Sequence, residues 1–215
     1  PPRSTLFPYT TLFRSDRKDL TKKVRAGLER LYDYQHDDGG WGWWKDDKTD
    51  PFMTAYVATG LKQALEAGYS VADYRIAQAL QSVAQQFDKN TEMAPDTRAY
   101  LLYAMASIEK PAKARVERIW TERDKLTPFG RALLGLALQK AKDPRATEVA
   151  QALSAEASAD GAEAYWKSNR DPMLDFEVDN SLEATAFAVK LLAKVQPESP
   201  LIDKATQWLV NHRDQ

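Results

Sequence analysis

Cysteine is absent from all 215 residues. Disulfides, thiolate metal sites and cysteine nucleophiles are therefore excluded within this chain. Histidine is scarce, with only His36 and His212. Charge of one sign is lacking too: 30 basic against 31 acidic residues leave a formal net charge of −1. No electrostatic footprint for nucleic acid or an anionic membrane is present. No apolar run is long enough to span a bilayer. There is no Gly-rich phosphate loop, no GxSxG and no HExxH. Almost no strand-like alternation runs through the chain.

What is present is helical spacing of apolar residues. In LTKKVRAGLERLYDYQ, Leu20, Val24, Leu28, Leu31 and Tyr32 share one stripe. FMTAYVATGLKQALEAG follows, with Gly68 placed as a C-cap. VADYRIAQALQSVAQQF carries Tyr74, Ile76, Leu80, Val83 and Phe87. PDTRAYLLYAMASI opens with Pro95 at a helix's first turn. AKARVERIWTERDK, TPFGRALLGLALQKA, DPRATEVAQALSAEAS, NSLEATAFAVKLLAKV and SPLIDKATQWLVNHRD complete about nine helices, with a loop around residues 160–172. TAYVATGL, TRAYLLYAMA, GRALLGLALQKA and EATAFAVKLLAKV are apolar on most sides, and their neighbours are amphipathic. That alternation predicts an all-α, two-layered array, an inner ring wrapped by an outer ring and joined by short connections.

The first fifteen residues, PPRSTLFPYTTLFRS, stand apart. They show no periodicity and resemble, residue for residue, the translation of a sequencing-library adapter. The expected organisation is an artefactual segment at 1–15 and a partial domain at 16–215, cut upstream of Asp16. A leader, earlier domains or an upstream reactive site would then lie outside the chain. Expressed alone, residues 16–215 are expected to aggregate or melt with poor cooperativity, because missing neighbours bare the inner faces.

YQHDDGGWGWWKDDKTDP, residues 34–51, raises the question of chemistry. Gly39, Gly40 and Gly42 permit close backbone approach. Asp50-Pro51 starts the next helix. A structured turn is the preferred reading, beside a sugar or ligand cradle of acids and tryptophans. A metal site from His36, Asp37 and Asp38 is disfavoured because adjacent residues rarely aim at one ion. His212 reads as solvated surface. Asp175, Glu177 and Asp179 in DFEVDN suit a helix N-terminus. Paired carboxylates for glycoside hydrolysis could be drawn from many acids, but no pair stands out.

The Q-x-x-D-G-G-W-G pattern from Gln35 to Gly42 resembles two toroid families. In triterpene cyclases a Gln near a helix end precedes Gly-x-Trp, but their Asp-x-Asp-Asp signature is missing here. The pattern is closer to the thioester domain of the bacterial α-2-macroglobulin family. DDGGWGWW, then DPFMTAYVATGLKQALEAGY, DTRAYLLYAMA and DFEVDNSLEATAFAVKLL follow that domain's order. The resemblance runs from about Leu20 to the C-terminus.

It implies an incomplete α/α toroid, the helical barrel of terpenoid cyclases and protein prenyltransferases. It implies a fragment of an endopeptidase inhibitor that traps proteases, not an enzyme, with no cofactor and no metal. Any thioester Cys-Gln would precede Asp16. FDKNTEMAP lacks the His that assists acyl transfer in the complement branch, so amines are expected to attack directly; Glu92 is the nearest acid there. Gln35, Asp38, Gly40, Trp41, Trp43 and Trp44 form the expected rim or thioester shield. Implied partners are target proteases and other domains of the same full-length protein, not nucleic acid. Membrane anchoring would come only through a missing N-terminus, and the implied location is the periplasm, cell envelope or outside. Three observations separate the readings: a cavity plugged by small inner-helix side chains for the inhibitor, an open acid-lined central cavity for an enzyme, an exposed tryptophan patch for a binding module.

Overall fold

The computed structural model describes residues 9–169 and 179–212. Nine α-helices are found among them: α1 (Tyr9–Asp33), α2 (Pro51–Glu66), α3 (Asp73–Lys89), α4 (Pro95–Ile108), α5 (Lys113–Thr121), α6 (Pro128–Lys140), α7 (Arg145–Glu156), α8 (Ser181–Val195) and α9 (Leu201–Asn211). α1 spans the Ser15–Asp16 junction.

The two expected layers are formed. α2, α4, α6 and α8 lie side by side in sequence order as the inner layer. Outside them, α3 packs on α2 and α4, α7 on α6 and α8, and α9 on α8. Composition drives the division. α6 buries nine residues, from Phe129 to Leu138. α3 buries one stripe, with Ile76, Val83 and Phe87 inside. One apolar core joins α4, α6, α7 and α8. A smaller one joins α1, α2 and α3 around Leu28, Trp41 and Leu61.

Helix ends follow local chemistry. Asp50 Oδ1 accepts from Met53 N at 2.8 Å, and Pro51 occupies the first turn of α2. Gly68 stops that helix at φ +87°, where Tyr69 N reaches back to Ala64 O at 3.0 Å. Thr127 caps α6, and Pro95 and Pro128 begin α4 and α6.

Three expectations need correction. A short antiparallel hairpin, β1 (Ser158–Asp160) and β2 (Glu163–Tyr165), occupies what reads as loop. Its signal was Gly161, the first residue of the two-residue loop Gly161–Ala162, where φ is +53°. Leu20 is 51% exposed, although Val24, Leu31 and Tyr32 of the same stripe pack on the smaller core. Tyr74 is exposed as well, its ring covered on one side by the Arg75 guanidinium at 5.0 Å. Periodicity marks the side a residue faces, not whether a neighbour stands there.

Candidate functional site: a tryptophan turn and an aromatic groove

The turn after α1 is held by its own polar side chains. Gln35 Nε2 donates to Gly39 O at 2.8 Å and to Arg75 O at 3.3 Å, and its Oε1 accepts from Arg75 Nη1 at 2.9 Å. The turn is thereby tied to α3. Asp38 Oδ1 accepts from Gly40 N at 3.0 Å and from the Thr49 hydroxyl at 2.9 Å. Since that hydroxyl has one proton, its 2.8 Å contact with His36 Nδ1 must be donated by the ring. His36 Nε2 then faces Asp47 Oδ1 at 3.8 Å. Asp37 is exposed, and no metal-holding cluster occurs among the described residues. His36 and Asp38 therefore build the turn.

The three tryptophans part company. Trp41 is 2% exposed. Its indole N–H donates to Leu31 O at 2.8 Å, and its backbone N–H to Thr54 Oγ1 at 3.0 Å. Gly40 admits no side chain, because Thr49, Thr54 and Ser82 crowd the place of a Cβ. Trp43 is 48% and Trp44 75% exposed. One carboxylate oxygen, Asp47 Oδ2, accepts from both their backbone N–H groups, at 2.9 and 3.1 Å. That carboxylate fits only because Gly42 leaves room for it.

A second tryptophan repeats the role of Trp41. Trp166 is fully buried, donates its indole N–H to Leu153 O at 2.7 Å and its backbone N–H to Thr185 Oγ1 at 3.0 Å. Each tryptophan bridges the end of an outer helix, α1 or α7, to a buried Thr on the next inner helix, α2 or α8. Sequence reasoning missed Trp166.

Toward the N-terminal ends of the inner helices lies a groove of about 300 Å³. Trp43, Phe52, Met53, Tyr56, Tyr100, Phe129, Glu183 and Phe187 line it. Phe52 stacks on Tyr100 at 4.4 Å, and Phe187 meets Phe129 edge-on at 5.3 Å. Behind them Tyr103 meets Phe187 edge-on at 5.9 Å. Lys190 Nζ sits 5.3 and 5.6 Å from those two ring centroids and donates to Tyr103 Oη at 2.7 Å. Burial pushes the Tyr100 phenol up, with nearby Tyr103, Tyr56 and Glu183 adding to it, so it is neutral at ordinary pH.

The groove is lined by aromatic rings and is not plugged by small side chains, and Glu183 is the one carboxylate among its described lining residues. An acid-lined cavity of the hydrolase kind is not formed there. The exposure of Trp43 and Trp44 is the patch a binding module would show.

Of the rim residues, Trp43 alone reaches the groove; Gln35, Asp38, Gly40 and Trp41 build the turn beneath it, and Trp44 points away into solvent. Glu92 is exposed and outside the groove lining. Asp179 accepts from Ser181 N at 2.8 Å at the start of α8, and hydrogen bonds from the Ser181 side chain and then its backbone hold the Asp179 carboxyl below the usual range. Asp175 and Glu177 lie outside the described residues. His212 is more than solvated surface: it is half-buried and stacks on Trp208 at 4.2 Å.

Comparison with known proteins agrees with this architecture. Residues 8–94 match the family model of the A-macroglobulin TED domain. The alpha-2-macroglobulin of Thermotoga maritima is 48% identical over 56 residues, 26% of this chain and 4% of the relative. Native Escherichia coli alpha-2-macroglobulin, from domain MG7 to the C-terminus, superposes with a TM-score of 0.70 at 22% identity, over 88% of this chain and 31% of that one. Salmonella alpha-2-macroglobulin reacted with methylamine gives 0.72 at 21%, over 91% and 13%. The chain thus spans a small part of the length of each protein it matches. The resemblance carried by DDGGWGWW and DPFMTAYV is met in sequence, and the α/α toroid in fold.

Proposed function

We propose, from the A-macroglobulin TED match of residues 8–94, that this chain is part of a bacterial α-2-macroglobulin-like endopeptidase inhibitor that traps proteases. The inhibitor catalyses no reaction of its own. Its partners are target proteases and the other domains of the full-length protein, and it works in the periplasm, at the cell envelope or outside. Residues 16–215 form part of the domain. Any Cys-Gln thioester lies upstream of Asp16.

The observation carrying this reading is the match of residues 8–94 to the A-macroglobulin TED domain, and the groove bears on where a thioester would be sheltered. An acyl thioester is lost to water, so it lasts only in a dry pocket. Aromatic walls with one carboxylate line the groove beside the N-terminal ends of the inner helices, and with Trp43 and Tyr56 of that wall exposed, a further segment has to cover it to exclude water. Trp43 stands at its edge as the shield, anchored through Asp47.

Sequencing the source DNA upstream of Asp16 tests the organisation. A frame continuing into a helix with Cys-x-Glu-Gln means covalent trapping. A helix without that cysteine means trapping by enclosure, and a start codon at the junction overturns the assignment. Where the thioester exists, Trp43→Ala in the full-length protein is expected to speed its hydrolysis, whereas Trp44→Ala leaves the lifetime unchanged. Equal lifetimes for Trp43→Ala and the parent would remove Trp43 from the shield.

A further inference from the structure

A separate pocket of about 350 Å³ opens between α5 and α7, in the outer layer. It shares no lining residue with the groove. Its floor is apolar, made by Leu134 of α6 and by Val149 and Ala152 of α7, with half-buried Trp120 at one side. Guanidinium groups hold that indole in place, Arg123 at 4.6 Å and Arg145 at 4.7 Å from a ring centroid. Arg145 is itself clamped by Glu117 and Asp143.

The walls carry charges of both signs and leave them unpaired with each other. Beyond α5, in the 3-10 turn Arg123–Lys125, Arg123 donates to Trp120 O at 3.0 Å and has no carboxylate partner among the described residues. On the α7 wall, Glu148, Ala152 and Glu156 recur at every fourth position, along one helix face. Glu156 is paired with Arg131. The Glu148 carboxylate has no ion pair or hydrogen bond among the described residues, and neither has that of Asp124 beside Arg123. Between the two acids of α7, Ala152 projects only a methyl group and leaves the floor open.

We infer that this pocket binds a small zwitterion of the α-amino-acid class, one with an aliphatic side chain. Arg123 receives its carboxylate, Glu148 its ammonium, and the apolar floor its side chain. A lone anion would meet Glu148 and Asp124, a lone cation would leave Arg123 unanswered, and a neutral group would answer neither wall. A zwitterion answers both, with a charge-assisted hydrogen bond at each end. No bond is made or broken in this binding. It goes beyond the inhibitor reading and needs neither the groove nor a thioester, so either can fail alone.

The test uses the 215-residue chain labelled with 5-fluorotryptophan and followed by fluorine NMR, the Trp120 line being identified by its loss in Trp120→Phe. The probes share one side chain and differ only at their ends: leucine, N-acetyl-leucine, leucinamide and N-acetyl-leucinamide. Leucine is expected to move the Trp120 line saturably, with Trp43 and Trp166 still. Removing either end charge is expected to weaken binding about fivefold, the size of one ion contact open to water, and the neutral probe should bind least. Glu148→Gln should bring leucine down to the level of N-acetyl-leucine, and Arg123→Met should bring it down to that of leucinamide. The Trp166 line reports that each variant is folded. Equal binding of the probes overturns the inference. So does a Trp120 line that leucine leaves unmoved, or a preference for leucine that survives either variant.

Discussion

Replacing Trp41 by alanine removes a side chain that is 2% exposed, with its N–H bonded to Leu31 O. Loss of a buried tryptophan costs about 3–5 kcal/mol. The total stability of a domain is about 5–15 kcal/mol, so a large share goes. At about 2–4 °C per kcal/mol for a chain of this size, the melting midpoint should fall by about 6–20 °C. Trp166→Ala should cost as much, because Trp166 makes the same two bonds with Leu153 O and Thr185 Oγ1. Trp44→Ala, at 75% exposure, should stay within about 0.5 kcal/mol of the parent. Urea melts followed by circular dichroism measure all three. Equal losses for Trp41 and Trp44, or a negligible one for Trp166, would refute the paired-tryptophan account.

Gly130→Ala should destabilise although alanine favours helices. The new Cβ overlaps the buried Asp96 carboxylate, which accepts from Thr127 Oγ1 at 2.6 Å and Thr127 N at 3.1 Å. Breaking two such bonds at about 1.5–3 kcal/mol each, less about 1 kcal/mol of helix propensity, gives a net loss of about 2–5 kcal/mol. In an Asp96→Ala background the same change should become neutral or stabilising, and a full-sized loss there contradicts the overlap. Acid should weaken the fold through Asp88 and Asp143, whose carboxyls are held below the usual range by hydrogen bonds from Arg115 and Arg145. A depressed carboxylate contributes stability that is present above its unfolded value and lost as pH falls through the folded one. The loss therefore begins near pH 4, roughly the ordinary Asp value, and deepens below it. Arg145→Met should flatten that part of the melting profile between pH 6 and pH 2.5, and an unchanged slope counts against the pairing.

The helices were legible because their signals are local. Ile76, Val83 and Phe87 repeat at helical spacing, and Asp50, Pro95 and Gly68 mark ends within a residue or two. The tryptophan turn was legible as a turn for the same reason. Its inner division was not, because Trp41, Trp43 and Trp44 are the same residue type within four positions. Only the folded path sends one inward, one to the groove edge and one to solvent. Trp166 escaped notice because its partner Thr185 lies 19 residues on, against 13 for Trp41 and Thr54, and a hairpin separates it from the end of α7. The groove was invisible for a deeper reason. Its walls come from the turn and four helices, from Trp43 to Phe187, and their meeting is a property of the layer.

The measurement that tests the functional claim most directly uses the full-length protein mixed with a purified endopeptidase in slight deficit. Hydrolysis of a large protein substrate and of a small peptide substrate is followed in parallel. A protease enclosed by its inhibitor keeps its active site but loses access to large molecules. The expected result is therefore lost cleavage of the protein with the peptide still hydrolysed. Undiminished cleavage of both, or equal loss of both, would contradict the trapping account.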